Sequence, residues 1–336
     1  MEIKDILVFI EQRDNVIQSV SYELLSEARK LVKQIKHVKF EVVGILIGTN
    51  LAQLPHDVLN HGADRVYVAD HPELAHYSTL RYTHVISELV KQHKPDAFMI
   101  GASVIGRDLA PRIAARLDTG LTADATKIEI NPNEENTSEL WITRPAFGGN
   151  LFGTIVCPNH RPQMATIRPQ VLDADFFQAN RPGIIINLPY KPMDDSVRIL
   201  KRTKKHNTGP DITHANILVS GGRGMLNCFD LLDEVAQLTG GVVAASRGVV
   251  DKGAAPKDIQ VGQTGKTVRP RLYLACGISG AVQHTAGMDK SETIIAINSD
   301  PQAPIFGVAT IGIVGDARTI LPLVIENLKA YKQKHS

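Results

Sequence analysis

The sequence has 336 residues, of which 43% are hydrophobic and 21% are charged. This composition is typical of a globular protein, and the length fits two domains that each bury a core of their own. A formal net charge of +2 is too small to indicate a nucleic-acid-binding surface, and no apolar run is long enough for a membrane span. Because no leader-like segment precedes the first strand-like run, we expect a cytoplasmic protein.

The first part of the chain alternates apolar strand-like runs with segments of helical spacing. Strands are predicted at 6–10, 42–47, 65–69 and 97–100, and helices at 20–35, 52–60, 80–92 and 109–117. This alternation predicts a parallel, doubly wound sheet. The loop at 101–108 lacks a Walker lysine and the dinucleotide spacing, so we expect an ordinary strand-to-helix connection with Asp108 capping the helix.

From residue 122 the pattern changes to short strand-like pieces separated by turn residues. The pieces lie at 125–130, 140–143, 154–157 and 163–167, and they predict an antiparallel or mixed extension of the sheet. The segment TRPAFGGN at 143–150 ends in paired glycines. It fits equally a glycine-rich turn and a backbone that passes close to a partner subunit or its cofactor.

A stretch rich in Pro, Lys, Arg and Asp at 180–209 predicts the exit from the first domain, with a boundary near residue 205. The α/β pattern then restarts. Strands are predicted at 215–220, 242–245, 272–275 and 293–298, and helices at 225–238 and 317–331. The predicted fold class is therefore α/β, with two domains, 1–205 and 206–336, each built on a mainly parallel doubly wound sheet.

Two glycine-rich turns flank the strand at 272–275. They are VGQTGK at 261–266 and GISGAVQH at 277–284. Glycine permits positive φ and a close approach of the backbone to a ligand, and the side chains between these glycines are hydroxyls, amides and an imidazole. Either turn alone fits a plain connection in an α/β domain. The pair together predicts a cofactor-binding site.

With SGGRG at 220–224 and INSDPQAPIF at 297–306, these motifs resemble the FAD domain of the electron-transfer flavoprotein alpha subunit, in that family's order and close to its spacing. The resemblance is densest over 215–320 and looser over the first 200 residues. It implies a Rossmann-like FAD-binding domain at the C-terminal end. It also implies a nucleotide-binding-like N-terminal domain that has lost its nucleotide and serves subunit contact.

The residues expected to bind FAD are strand-end or loop positions of the second domain. They are Arg223, Ser246, Arg247, Val261, Gly262, Gln263, Thr264, Ser279, Gly280, Ala281, Val282, Gln283, His284, Asn298 and Asp316. Arg223 lies between glycines ahead of a predicted helix, so its guanidinium and the helix N-terminus both suit the pyrophosphate. The resemblance places Arg247 against the flavin ring, where a cation favours the anionic reduced form. The alternative is an Arg247 paired with Asp251 or Asp230.

The resemblance also implies roles for the remaining polar residues. The hydroxyl of Thr264 can donate to flavin N5, and Gln263 can bind the ribityl hydroxyls or the ring edge. His284 would face the pyrimidine end of the ring, as an imidazolium or as a neutral donor. Asn298 would reach the adenosine or a phosphate, and Asp316 suits a ribose or adenine edge.

The three cysteines are too few and too widely spaced for a disulfide framework or a metal site, and no Ser-His-Asp order or H-E-x-x-H is recognisable. We therefore expect no catalytic residue and no metal, and redox chemistry supplied by FAD. Whether such a carrier counts as an enzyme stays open.

The resemblance implies a heterodimer with a beta subunit that passes single electrons to and from an acyl-CoA dehydrogenase or similar flavin dehydrogenase. Ferredoxin and flavodoxin are further candidate partners. The segments GKTVRP at 265–270 and LACG at 274–277 resemble versions from anaerobic bacteria, where NADH-dependent electron bifurcation is common. The alternatives are a housekeeping carrier for acyl-CoA dehydrogenases, a self-sufficient flavin or NAD-dependent oxidoreductase, and a non-redox nucleotide-binding protein.

Overall fold

The structure is a computed structural model that describes residues 3–146, 151–193, 197, 199–203 and 211–335. The chain divides into two compact units, and the division falls after Lys201. The boundary expected near residue 205 and the paired glycines expected at 148–149 lie outside the described residues.

The first unit is built on a seven-stranded sheet with the order β12-β5-β4-β1-β6-β11-β7, in which every neighbouring pair is parallel. These strands are β1 (Ile3–Ile10), β4 (Lys39–Gly48), β5 (Arg65–Asp70), β6 (Ala97–Gly101), β7 (Leu121–Ala125), β11 (Gln163–Ile167) and β12 (Ile184–Asn187). Alternate residues of β1 belong to two separate buried clusters, with Ile6 and Val8 in one and Leu7 and Phe9 in the other. Both faces of the sheet are therefore covered, which confirms the predicted class.

Helices cover the two faces in pairs. They are α1 (Ser19–Gln34), α2 (Leu54–Asn60), α3 (Thr79–His93) and α4 (Val104–Leu117). The first two pack into one cluster and the last two into the other. The capping prediction for α4 was wrong. The Ser103 side chain accepts from the backbone N–H of Gly106 (3.1 Å), whereas Asp108 lies inside the helix and accepts from the Tyr77 and Thr79 hydroxyls.

The short strand-like pieces after residue 120 do not all extend the main sheet. Strands β8 (Lys127–Ile130), β9 (Leu140–Ala146) and β10 (Leu151–Ile155) form a separate antiparallel sheet, and β2 (Gln12–Arg13) pairs with β3 (Val16–Ile17) in a small hairpin. Strands β7 and β11 instead join the main sheet in parallel. The reason is visible in β11, where every residue is buried, as in a strand covered on both faces.

The second unit has a six-stranded parallel sheet with the order β15-β14-β13-β16-β17-β18. The strands are β13 (Ile217–Gly221), β14 (Val242–Ser246), β15 (Gln260–Val261), β16 (Leu272–Cys276), β17 (Thr293–Asn298) and β18 (Ile311–Val314). The helices are α5 (Phe229–Thr239), α6 (Arg247–Val250), α7 (Val282–Thr285) and α8 (Ala317–His335). The strand order reverses between β13 and β16, and open α/β sheets bind ligands at the carboxyl ends of strands at such a point.

Two details of this unit differ from the sequence prediction. Strands β15 and β18 were not predicted, and α5 begins at Phe229 rather than at residue 225. Arg223–Met225 forms a short 3-10 turn, and Asn227 has a φ of +64°. A left-handed residue cannot continue a right-handed helix, so the helix starts only after it. None of the described helices is both long and apolar enough to cross a bilayer.

Candidate functional site

A cleft of about 840 Å³ lies at the carboxyl ends of the strands of the second unit. The residues that line it follow or end β13, β14, β15, β16 and β17. The lining consists of Arg223, Gly224, Leu226, Ser246, Arg247, Gly248, Asp251, Lys252, Val261, Gly262, Thr264, Gly277, Ile278, Ser279, Ala281, Gln283, His284, Asn298 and Ser299. Its volume is at the upper end of the range for small-molecule sites, as an extended dinucleotide would need.

Most of the residues predicted from the sequence meet in this cleft. Those that line it are Arg223, Ser246, Arg247, Val261, Gly262, Thr264, Ser279, Ala281, Gln283, His284 and Asn298. Gln263, Gly280, Val282 and Asp316 were also predicted, and they are not among the lining residues. The backbone N–H of Gln263 donates to the carbonyl oxygen of Gln283 (2.8 Å), so it joins two of the loops around the cleft.

The glycines of these loops allow the loops to pack directly on one another. Gly277 has a φ of +61°, and a Cβ at Gly222 would lie 2.1 Å from the Gly277 carbonyl oxygen. Gly280 has a φ of +85°, and a Cβ there would lie 2.1 Å from the backbone nitrogen of Ile305. No side chain fits in either place. The sequence predicted that these glycines let the backbone come close to a ligand. In the structure they let two loops of the chain come close to each other, and this packing shapes the wall of the cleft.

Thr264 is held by a buried neighbour. The side-chain amide of Gln260, which is 3% exposed, donates to the Thr264 hydroxyl oxygen over 3.0 Å. Gln260 ends up beneath the VGQTGK turn because β15 pairs in parallel with the end of β14. Since the hydroxyl oxygen already accepts this bond, its own proton is directed to another acceptor. Thr264 thus presents a donor at the cleft.

His284 lies on α7, is 7% exposed and lines the cleft. Its Nε2 lies 3.0 Å from the Tyr273 hydroxyl. Burial lowers the pKa of His284 to about 4, and the backbone of Val261 opposes this effect only in part. The ring is therefore neutral at pH 7, which favours the neutral-donor alternative over the imidazolium. Its other nitrogen, Nδ1, is buried without a hydrogen-bond partner among the described residues.

Cationic side chains outnumber acidic ones in the cleft lining, where Arg223, Arg247 and Lys252 stand against Asp251. Arg247 Nε lies 3.1 Å from Asp251 Oδ2, and both side chains are largely exposed, so this pair is weak and easily exchanged. The pair with Asp251 is the alternative that the sequence left open for Arg247, and the structure contains it. Lys252 was missed because α6 was not predicted. The spacing of four residues between Arg247 and Asp251 is that of one helical turn, and it is the pattern that indicates α6 and places Lys252 directly after it.

Arg223 does not lie at the start of a long helix, as the sequence suggested. It lies in the 3-10 turn Arg223–Met225, and α5 begins only at Phe229. The expected contribution of a helix N-terminus next to Arg223 is therefore absent from this turn. What remains for anion binding is the guanidinium itself and the exposed backbone of the turn at Arg223 and Gly224.

Asn298 and Asp316 organise loops. The Asn298 side-chain amide donates to the Ile278 carbonyl oxygen (2.8 Å), and its oxygen accepts from the Asp300 backbone N–H (2.9 Å). Asp316 precedes α8, accepts from the Arg318 backbone N–H (2.9 Å) and pairs with the Arg318 guanidinium. These contacts hold the pKa of Asp316 below its usual value. Asp316 therefore caps the helix, while Asn298 braces the turn that carries Ser279.

The fold and the cleft together are typical of the class of α/β proteins that bind a nucleotide cofactor at the switch point of a parallel sheet. Comparison with known proteins narrows this class. The family described as "Electron transfer flavoprotein domain" matches residues 6–191, and the one described as "Electron transfer flavoprotein FAD-binding domain" matches residues 211–289.

Individual relatives match over nearly their whole length. The electron transfer flavoprotein subunit alpha of Thermoanaerobacterium thermosaccharolyticum is 49% identical, over 98% of this chain and 99% of the relative. Protein FixB of Clostridium saccharobutylicum is 47% identical, over 97% and 96%. The acryloyl-CoA reductase electron transfer subunit beta of Anaerotignum propionicum is 43% identical, over 98% and 96%. The chain belongs to the electron transfer flavoprotein alpha subunit family, and its second unit contains that family's FAD-binding domain.

The residues of the cleft fit FAD. A pyrophosphate needs positive charge, and Arg223 and Lys252 supply it. A flavin ring offers hydrogen-bond acceptors along one edge. The cleft offers two matching donors, the hydroxyl of Thr264 and the neutral His284 ring in the tautomer that carries its proton on Nδ1. An unpaired buried nitrogen costs about 1–3 kcal/mol, which a ligand acceptor would relieve.

Proposed function

We propose that this chain holds FAD in the cleft described above and, paired with a beta subunit, passes electrons singly between a flavin dehydrogenase and other redox proteins. Residues 206–336 form the FAD-binding domain and residues 1–205 form the domain that contacts the beta subunit. The fifteen residues predicted from the sequence remain the proposed contacts. A cytoplasmic location, with ferredoxin or flavodoxin among the electron acceptors, belongs to the same proposal.

The observation that carries this proposal is the buried, partner-free Nδ1 of His284 at the wall of a cleft lined by cations. When bound, FAD supplies the electron chemistry, because none of the amino-acid side chains in the cleft is a redox group. The chain's own residues do the rest. Arg223 and Lys252 neutralise the pyrophosphate, Thr264 and His284 donate hydrogen bonds, and Arg247 places positive charge where the reduced ring becomes negative.

The test is the absorption spectrum and FAD content of the chain purified together with its beta subunit. We expect a yellow heterodimer that releases FAD on denaturation. In a variant with Arg223→Gln, FAD should bind more weakly, because the pyrophosphate loses one cation. Arg271→Gln is a matched control, since Arg271 lies at the opposite, amino-terminal end of β16 and is largely exposed. A folded, colourless heterodimer would contradict the proposal and favour a non-redox nucleotide-binding protein.

A second, finer function is electron bifurcation with NADH. It is supported by the motifs at 265–270 and 274–277 and by the relative named as an electron transfer subunit of acryloyl-CoA reductase. That name also supports a dehydrogenase or reductase partner that acts on an acyl-CoA. We expect the reconstituted heterodimer to hold two FAD and to accept electrons from NADH. One FAD and one AMP, with no reaction with NADH, would instead establish the housekeeping carrier.

A further inference from the structure

Tyr273 is a buried residue next to the cleft that forms no part of its lining. It is the second residue of β16 and is fully buried. Its hydroxyl nevertheless lies 3.0 Å from Nε2 of His284, which does line the cleft. The two rings meet edge to face, with centroids 6.2 Å apart. Tyr273 therefore contacts Nε2 of a histidine that lines the cleft, and it leaves Nδ1 of that histidine without a partner among the described residues.

The protons in this pair are limited in number. Burial raises the pKa of Tyr273 above its usual value and lowers that of His284. The phenol and the imidazole are thus both neutral near pH 7, and the imidazole carries one proton. Either the phenol donates to Nε2 and the ring proton lies on Nδ1, or Nε2–H donates to the phenol oxygen and Nδ1 is a bare acceptor.

The surroundings of the two groups favour the first arrangement. Nε2 of His284 is the hydrogen-bond partner of the Tyr273 hydroxyl among the described residues. Tyr273 is fully buried outside the cleft lining, so a phenol proton turned away from Nε2 would be left without an acceptor. His284 lines the cleft, so a proton on Nδ1 can meet an acceptor of a bound ligand.

We propose that Tyr273 is a positioning residue for the FAD site: it donates its hydroxyl proton to Nε2 of His284 and so holds the imidazole proton on Nδ1, aimed into the cleft. This inference rests on the proposed FAD site. An N–H donor that is already in place stabilises negative charge on a ligand acceptor more than an imidazole whose proton can move between its two nitrogens does. The reason is that the fixed donor needs no reorganisation when the charge forms. Tyr273 thereby raises the preference of the site for reduced over oxidised FAD.

The experiment uses the full chain with its beta subunit, labelled with ¹⁵N at histidine. Nitrogen chemical shifts distinguish the two tautomers, and His284→Gln assigns the signal. We expect His284 to carry its proton on Nδ1 both with FAD and after FAD removal. In Tyr273→Phe the signal should shift to a mixture of tautomers. The reduction potential of bound FAD should fall, with the ratio of affinities for reduced and oxidised FAD decreasing about tenfold.

The chain offers a matched control in Tyr67→Phe. Tyr67 is also buried, and its hydroxyl lies 3.3 Å from Nδ1 of His93, but this pair belongs to the first unit. Removing that hydroxyl should change neither the His284 tautomer nor the FAD potential. A change of equal size in both variants would overturn the proposal, since the effect would then be a general one of losing a buried phenol hydroxyl.

Two other results would overturn it. One is a proton on Nε2 of His284 in the unmodified protein, and this measurement stands even if Tyr273→Phe does not fold. The other is a folded Tyr273→Phe variant with an unchanged tautomer and potential. Failure of the proposed function would give another result, namely a protein that purifies without FAD. The His284 tautomer can still be measured in that protein.

Discussion

The buried His284 makes the stability of the second unit depend on pH in a way that can be calculated. Its pKa is lowered from 6.5 to about 4 by burial. In the unfolded chain the ring takes up a proton as the pH falls through 6.5, whereas in the folded chain it does so only near pH 4. Because the folded pKa is the lower one, the contribution is complete above pH 6.5 and is lost as the pH falls towards 4.

The size of the effect follows from the same two values. Each pH unit between them corresponds to about 1.4 kcal/mol, so the full interval corresponds to about 3 kcal/mol of unfolding free energy. His284 is only 7% exposed, so solvent screening does not reduce this figure substantially. Other groups titrate in the same range. The informative quantity is therefore the difference in slope between the unmodified chain and His284→Gln.

Amide hydrogen exchange of the β16 residues, 272–276, measures the opening free energy of this core without requiring the whole chain to unfold in one step. We expect the unmodified, FAD-free protein to lose about 1.4 kcal/mol more per pH unit than His284→Gln between pH 6 and 4.5. FAD is removed because a bound ligand adds its own stabilisation. Equal slopes, or a His284 that titrates near 6.5 by NMR, would refute the reasoning.

Three further predictions concern the cleft. Arg247→Ala should lower the reduction potential of bound FAD and Asp251→Asn should raise it, because the two substitutions change the charge at the cleft in opposite directions. Reductive titration measures both potentials, and shifts of the same sign would contradict the assignment. Gly280→Ala should cost more than about 1 kcal/mol of stability and reduce FAD binding, since a Cβ there meets backbone at a positive φ. Gly307→Ala is the control and should change neither, because nothing lies within 4 Å of the added Cβ. A chain that begins at residue 206 should fold and retain FAD, and a folded but FAD-free product would place either the boundary or the site elsewhere.

Much of this protein could be predicted from local sequence. Alternating strand and helix periods indicated two parallel α/β domains, because burial on both faces of a parallel strand leaves a continuous apolar run such as residues 6–10. The motifs at 261–266 and 277–284 predicted a cofactor site, because glycine-rich loops and the polar residues between the glycines are local features of the chain. The family comparison confirms the fold class and the cofactor.

Only the tertiary structure determines the contacts between strands and the energies that depend on those contacts. The sequence does not state that β11 inserts between β6 and β7, because its apolar run fits any buried strand. Nor does it state that Tyr273 contacts His284 or that Gln260 contacts Thr264, since these pairs depend on strand register and loop packing. The pKa of His284 depends on the surroundings that bury it. The sequence has twelve histidines, and only the fold makes His284 neutral, buried and part of the lining of the cleft.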